Sequence, residues 1–465
     1  MNLSKILTAL LLSGSLVGCA ALVKSPYEAP AINTPTGFQY DQSLNKQVHA
    51  DVYADRWWTL FGDAQLNALV EQVLAKNTDL AVAGLNLQKA RLQARLSQNQ
   101  QGIRVNSGVS TGHNFDLNSG NDSAKGLSAN VGVSYETDLF GKLARQTEAA
   151  KWEAVASEQD LQATAQSLIA TTAQLYWQLG YLNERLTVAQ QNLASTQKTY
   201  DLVKVQYQNG AVSGIEMSSA EQSVQSQKST LSQTAQQQVE TRTALAVLLQ
   251  ETVQQLNINE PQRLPRIALP NVSAGLPANL LSRRPDLAAT ELRLRKALAN
   301  KDATKASYYP SISLTGNLGS SSTSLVNLIQ NPILALGANL SLPFLQYNDM
   351  KQDIAISKIE YETAIVQYRQ TMYQAFADVE NALSARTELN KQVAIQERNV
   401  QLAEKTERLT EVRYRNGSVA LKDLIDYQKT TRDARMSLLQ TKQNQYNAYV
   451  NLFQALGGSP IQQLP

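Results

Sequence analysis

Cysteine is nearly absent from this chain of 465 residues: Cys19 stands alone, and His49 and His113 are the only histidines. One thiol excludes an internal disulfide. No clustered metal ligands, Ser–His–acid set or Gly-rich phosphate loop accompanies them, so the chain does not read as an enzyme and implies no cofactor and no metal. Aromatic residues are scarce at 6%, so helices here carry narrow apolar stripes rather than a thick core. An excess of one charge is also lacking. The 42 Lys and Arg are interspersed with 39 Asp and Glu, a balance that gives no reason to expect a nucleic-acid partner. Beyond the N-terminus no apolar run reaches the ~18 residues of a membrane helix, so any membrane crossing must use β-strands. Proline is missing between Pro35 and Pro261.

What is present is a repetition. Asp79-Leu80-Ala81 recurs as Asp286-Leu287-Ala288, and Tyr207, Asn209 and Gly210 recur as Tyr414, Asn416 and Gly417, all at an offset of 207 residues. Leu85, Leu87, Lys89 and Ala90 recur as Leu292, Leu294, Lys296 and Ala297. One shared offset makes the halves two copies of one unit, far longer than a solenoid repeat. The copies are expected to pack about a pseudo-two-fold axis.

The N-terminus reads as a processing signal over 1–18. Lys5 precedes the apolar run Ile6–Leu12, and Leu16-Val17-Gly18-Cys19 closes it. The segment is too short for a spanning helix. Its last four residues look like a bacterial lipobox, which makes Cys19 the candidate lipidation site. A plain secretory signal with an incidental Cys is the alternative. Residues 19–60, with Pro26, Pro30 and Pro35, read as an extended tether.

Within each copy the pattern changes from period 3.6 to period 2 and back. Lys142–Asn209 contains one Gly and no Pro, and Asp349–Asn416 contains neither. Each stretch predicts a single helix of roughly 100 Å. Both end in Asn-Gly, the signal of a left-handed cap and chain reversal. Shorter helices are expected at Ile215–Val253 and Val419–Leu456 after the turns, and at Asp63–Gln98 and Pro277–Ala306 before the strands. Repeat 1 is placed at 61–255, a linker at 256–274, repeat 2 at 275–457 and a tail at 458–465.

Strands are expected at about 103–113 and 127–137, and at about 311–319 and 334–343. The second is the cleanest: Leu127, Ala129, Val131, Val133 and Tyr135 alternate with Ser128, Asn130, Gly132, Ser134 and Glu136. One face is apolar and the other small and polar. About ten residues is the length of a tilted bilayer-crossing strand. The polar face suits a water-filled lumen, although a half-buried soluble sheet would alternate too. Four strands cannot close a barrel, and unpaired edges are not tolerated in lipid. Copies must therefore associate, and a trimer with twelve strands would leave an open passage.

Several segments resemble a known family. Arg56-Trp57-Trp58-Thr59-Leu60-Phe61-Gly62-Asp63, followed by Asn77-Thr78-Asp79-Leu80, is similar to the opening signature of the TolC-like outer-membrane efflux proteins. Gly275-Leu276-Pro277, Leu280–Leu287, Tyr309–Gly316 and Arg413–Gly417 resemble other parts of that pattern. With the lipobox, the chain looks like the lipoprotein branch serving resistance-nodulation-division (RND) pumps. The resemblance implies a mixed α and β membrane protein of two tandem repeats, each helix–strand–strand–long helix–helix. It implies a homotrimer with a twelve-stranded β-barrel in the outer membrane of a Gram-negative bacterium, continuous with a periplasmic α-helical barrel. It also implies lipid anchoring at Cys19, a periplasmic adaptor and an inner-membrane RND transporter as partners, and passive export of drugs or other small molecules. One-step protein secretion, or a non-channel coiled-coil surface lipoprotein, remain the competing readings.

The resemblance also assigns sites. Asp423 and Asp426, three residues apart on one helix face, align with the aspartates of the periplasmic gate. In a trimer they would form a ring of six carboxylates that favours cations. Val419 stands where one family member uses an arginine. The turns at Asn209-Gly210 and Asn416-Gly417 are the expected adaptor-docking tips.

Overall fold

The computed structural model describes residues 23–41, 56–115, 122–265, 269–270, 272, 283–322 and 332–458. Cys19 lies outside the described residues. The element order is α1 (Ala64–Lys76), α2 (Thr78–Asn99), β1 (Arg104–Phe115), β2 (Asp122–Thr137), α3 (Lys142–Gln208) and α4 (Gly214–Leu248). The second copy follows as α5 (Pro285–Ser307), β3 (Ser311–Ser322), β4 (Pro332–Ser341), α6 (Tyr347–Arg415) and α7 (Leu421–Ala455). The described residues form two compact units, those within 1–32, 84–159 and 288–371 making one, and those within 33–83, 160–287 and 372–465 the other.

The first unit contains one antiparallel sheet in the order β1-β2-β3-β4. Its register aligns the apolar positions across strands. Val105 faces Val133, Val133 faces Gly316, and Gly316 faces Leu336. Val131, Leu318 and Leu334 form a second row. Alternate positions form an opposite face of Asn106, Asn130, Gly132, Asn317 and Asn339. The apolar face is open: Val109 is 75% and Leu336 81% exposed. Gly132 leaves room for its cross-strand partner, because a Cβ there would meet the Asn106 amide oxygen and make that exposed side chain turn aside.

Within this unit α2 packs on α3 through the small residues Ala90, Ala94 and Ala154, and Lys296 of α5 pairs with Glu153 of α3 at 2.9 Å. Across them lies the segment read from sequence as a tether. Val23 is buried, Ser25 donates both its N–H (2.6 Å) and its hydroxyl (2.7 Å) to the buried Asp302 carboxylate, and the Tyr27 hydroxyl donates to Glu291. The Arg295 guanidinium lies over Tyr27 at 4.2 Å and over Trp152 at 5.3 Å. This part of the tether is therefore a packed strap, because its alternate residues find built partners.

The second unit has an aromatic core. A 3-10 helix at Trp57–Phe61 inserts Trp57 against Phe453 (5.0 Å) and Phe61 against Trp177 (4.7 Å), and Trp177 packs on Tyr446 (4.9 Å). Asp63 then caps α1, accepting from Gln65 and Leu66, and also accepts from the Tyr176 hydroxyl at 3.0 Å. Burial and that carboxylate push the Tyr176 phenol above its ordinary range. The single helix expected over Asp63–Gln98 is instead two. Asn77 breaks it, because its side chain accepts from Asp79 and Leu80 and donates to the Leu248 carbonyl. The segment 256–265 is also seated, with Tyr446 donating to the Pro265 carbonyl (2.6 Å) and Asn183 to that of Pro261 (2.8 Å).

Candidate functional site: the hairpin tips

Two helical hairpins, α3–α4 and α6–α7, end side by side in the second unit. Each reverses by the same device. Gly210 (φ 72°) donates to the Tyr207 carbonyl at 3.0 Å, and Ala211 donates to Gln206 at 2.8 Å. Gly417 (φ 70°) donates to Tyr414 at 2.9 Å, and Ser418 donates to Arg413 at 2.9 Å. This pair of bonds is the Schellman cap, and a positive φ makes glycine the residue for it. Asn209, Gly210, Asn416 and Gly417 are all exposed. Val203, Ala220, Leu421 and Leu424 bury one another beneath the turns, and Tyr414 donates to Gln206 at 2.8 Å.

Asp423 and Asp426 sit on the first turns of α7. Leu421 and Leu424 are buried and both aspartates are exposed, so the apolar stripe that seats the helix turns the acids away from it. Asp423 accepts from the Ala420 N–H at 3.2 Å, which is half of a capping box. The equivalent start of α4 carries the whole box: Ser213 accepts from Ile215, and Glu216 accepts from the Ser213 N–H at 2.9 Å. Hydrogen bonding by Ser213 pulls the Glu216 carboxyl below its ordinary value.

One group escaped the sequence reading. Lys422 donates to Asp426 across one helical turn, and that bond raises its pKa above the ordinary 10.5. The Lys–Asp spacing of four was the available signal. Each protomer therefore brings two carboxylates and one ammonium to this point. If three protomers brought these groups together, the expected six-carboxylate ring would carry a net charge of −3 rather than −6. Arg415, at the α6 tip, is likewise paired, with Glu411.

No helix among the described residues is long and apolar enough to cross a membrane. An open sheet with an exposed apolar face does that work, and with two long helical hairpins it defines a subunit of an outer-membrane channel. Comparison with known proteins agrees. The family model for the outer membrane efflux protein matches residues 69–250 and 276–458. The antibiotic efflux pump outer membrane protein ArpC of Pseudomonas putida is 30% identical, over 99% of this chain and 97% of its own. The pyoverdine export outer membrane protein OpmQ of Pseudomonas putida is 29% identical, over 98% of each. The open-state MtrE outer membrane channel of Neisseria gonorrhoeae superposes with a TM-score of 0.82 at 30% identity, covering 94% of this chain and 98% of that one.

The chain belongs to the outer membrane efflux protein family. It is the outer-membrane channel component of an RND-type tripartite efflux system, working as a trimer with a periplasmic adaptor and an inner-membrane transporter. It is a passive channel and not an enzyme.

Proposed function

We propose that this channel is a lipid-anchored exit duct for small molecules, with a cation-selective periplasmic constriction lined by Asp423 and Asp426. The observation that carries the constriction is the burial of Leu421 and Leu424, which leaves both acids exposed beside the hairpin tip. A net negative ring raises the local cation concentration and resists anions. Relatives named for antibiotic efflux and pyoverdine export support small-molecule cargo. Lipidation at Cys19 is supported by the lipobox-like Leu16-Val17-Gly18-Cys19, and the buried Val23 of the strap follows only four residues downstream. At ~3.5 Å per residue an acylated Cys19 stays within about 14 Å of it. The exposed turns at Asn209-Gly210 and Asn416-Gly417 are the proposed adaptor-docking tips.

Planar-bilayer recordings of the trimer test the constriction. The expected channel prefers cations and is blocked by trivalent metal from the periplasmic side. Asp423→Asn with Asp426→Asn should abolish both properties; unchanged selectivity and block would remove the assignment. Intact mass of the membrane-extracted protein tests the anchor: a diacylglyceryl and acyl increment at Cys19 is expected, and an unmodified thiol refutes it. Charge reversal at Arg413 and Arg415 should weaken cross-linking to the adaptor, and undiminished cross-linking counts against docking there.

A further inference from the structure

A groove in the second unit is bordered by a largely buried arginine that pairs with no described residue. It runs between the first turns of α4 and α7 and encloses about 580 Å³. Ile215, Leu421, Ile425 and Met436 supply apolar walls, and small polar residues of α4 such as Ser219 and Ser223 line the rest. Its other charged groups are committed. Lys422 is paired with Asp426, Lys429 with Asp433 at 2.6 Å, and Glu216 with the cap at Ser213.

Arg432 differs from all of these. It is only 9% exposed and borders the groove, yet it makes no hydrogen bond or ion pair with any described residue. Arg435, one turn on, shows the contrasting case, reaching Glu404 at 2.7 Å. Asp433 and Glu407 are the acids that influence Arg432, but loss of solvent outweighs them and draws its pKa down. An arginine stays charged even so. Its nitrogens are not sealed from solvent, so a ligand in the groove can reach them, and the planar fork of donors matches a carboxylate with two parallel bonds. The enclosed volume is that of a small-molecule site.

We propose that this groove binds organic carboxylates with an apolar body, Arg432 holding the carboxylate and Ile215, Leu421, Ile425 and Met436 the body. The proposal rests on reading Asp426 as lining the passage, because Asp426 also borders the groove and so opens it to the duct. Arg432 lies six residues beyond Asp426, about 9 Å along the helix. Acidic cargo repelled by the aspartates thus meets a fixed cation just past them.

The test uses the full-length trimer in lipid nanodiscs, with 1-pyrenebutyrate as probe and the neutral 1-pyrenebutanol as control, both read by fluorescence anisotropy. The carboxylate should bind about tenfold or more tighter than the alcohol, the range for hydrogen bonds to charged groups. Arg432→Gln should remove that preference and leave the alcohol's affinity unchanged, while Arg432→Lys should keep part of it. Native mass spectrometry verifies that each variant is trimeric. Equal binding of the two probes by the unaltered trimer, or no binding because a neighbouring subunit fills the groove, overturns the site. Glu407→Gln should leave affinity unchanged; severalfold tightening would show that Arg432 is already taken by Glu407. Selectivity recordings on Asp423→Asn with Asp426→Asn separate the two readings. Arg432-dependent binding with unaltered ion selectivity removes the constriction and keeps the site. Altered selectivity without probe binding does the reverse.

Discussion

Lys422→Gln tests the charge count at the proposed constriction directly. Each protomer presents Asp423, Asp426 and Lys422 on the first turns of α7, and Lys422 is held against Asp426. Removing three ammonium groups from a trimer takes the ring from −3 to −6. For an ion about 10 Å from each group, one charge changes local cation concentration by about 1.3-fold at 0.1 M salt, and three by about twofold. At 0.01 M the screening length triples, and the same change grows to about fourfold. Anions are depleted by the same factors, so the cation-to-anion permeability ratio should rise by about their square in planar bilayers, about fivefold at 0.1 M and about twentyfold at 0.01 M, and trivalent block should tighten. Asp423→Asn with Asp426→Asn removes six negative charges, which at 0.1 M lowers the local cation concentration about fivefold. The ring is then left at +3 and the preference should invert. The Lys422 pKa is raised by its bond to Asp426, so its charge persists through pH 10.5 and is lost only above the raised value. Selectivity of the unaltered channel should therefore increase only in strongly alkaline buffer. If Lys422→Gln leaves the ratio unchanged at both salt concentrations, these side chains do not face the ion path.

Other perturbations probe the supporting structure. Ala420→Ser should complete the capping box on α7, adding about 1 kcal/mol to its first turn, read as slower amide exchange there and fewer channel openings. The Glu216 carboxyl titrates below its ordinary 4.5. The α4 cap should therefore stay intact above pH 4.5 and be lost only as pH falls through the lowered value, seen as faster amide exchange at Ile215. Phe61→Ala, at a site 1% exposed and packed on Trp177, should cost about 3–5 kcal/mol in thermal unfolding. Asp302→Ala should free the strap, so that trypsin cuts after Lys24 in the variant trimer and not in the unaltered one. Equal cutting would show that the Ser25–Asp302 bonds do not hold it.

Much of this fold was legible because its periods are long and clean. The 67- and 69-residue helices α3 and α6 follow from the absence of proline, and both turns from Asn-Gly. The sheet's apolar and polar faces follow from strict alternation in β2. Strand ends were less legible. β2 begins at Asp122 and β3 runs to Ser322, through polar residues that carry no alternation and pair only because their neighbours do. β4 stops at Ser341, because Pro343 lacks an N–H and starts a 3-10 turn. The break at Asn77 was available as an N-cap residue before Thr-Asp, but the apolar stripe continues across it. The strap was hidden because a buried Asp302 in a helix gives no sign in sequence of what it will hold. At the hairpin tips, the aspartates were found by resemblance, while Lys422 and Arg432 needed the packed helices to show which cation is paired and which is not.

The sheet and the hairpins make opposite uses of the duplication. In the sheet, the copies meet as β2 against β3, which leaves β1 and β4 as edges. All ten residues of β4 are exposed, and as an edge strand it has no strand partner on its outer side among the described residues. In lipid each unpaired backbone group costs several kcal/mol, and only pairing of β4 with β1 of another copy removes every edge at once. That requirement is indifferent to which repeat supplies which strand. The hairpin tips are not equivalent in this way. Offset by 207 residues, Ser213 becomes Ala420, Glu216 becomes Asp423 and Ser219 becomes Asp426. The first hairpin thus has the full cap and one acid, and the second has the half cap and two. A Ser-to-Ala change at an N-cap weakens a helix start by about 1 kcal/mol. The hairpin bearing both aspartates is therefore also the one whose first turn opens more easily, which would couple the charge at the proposed constriction to the element best able to move.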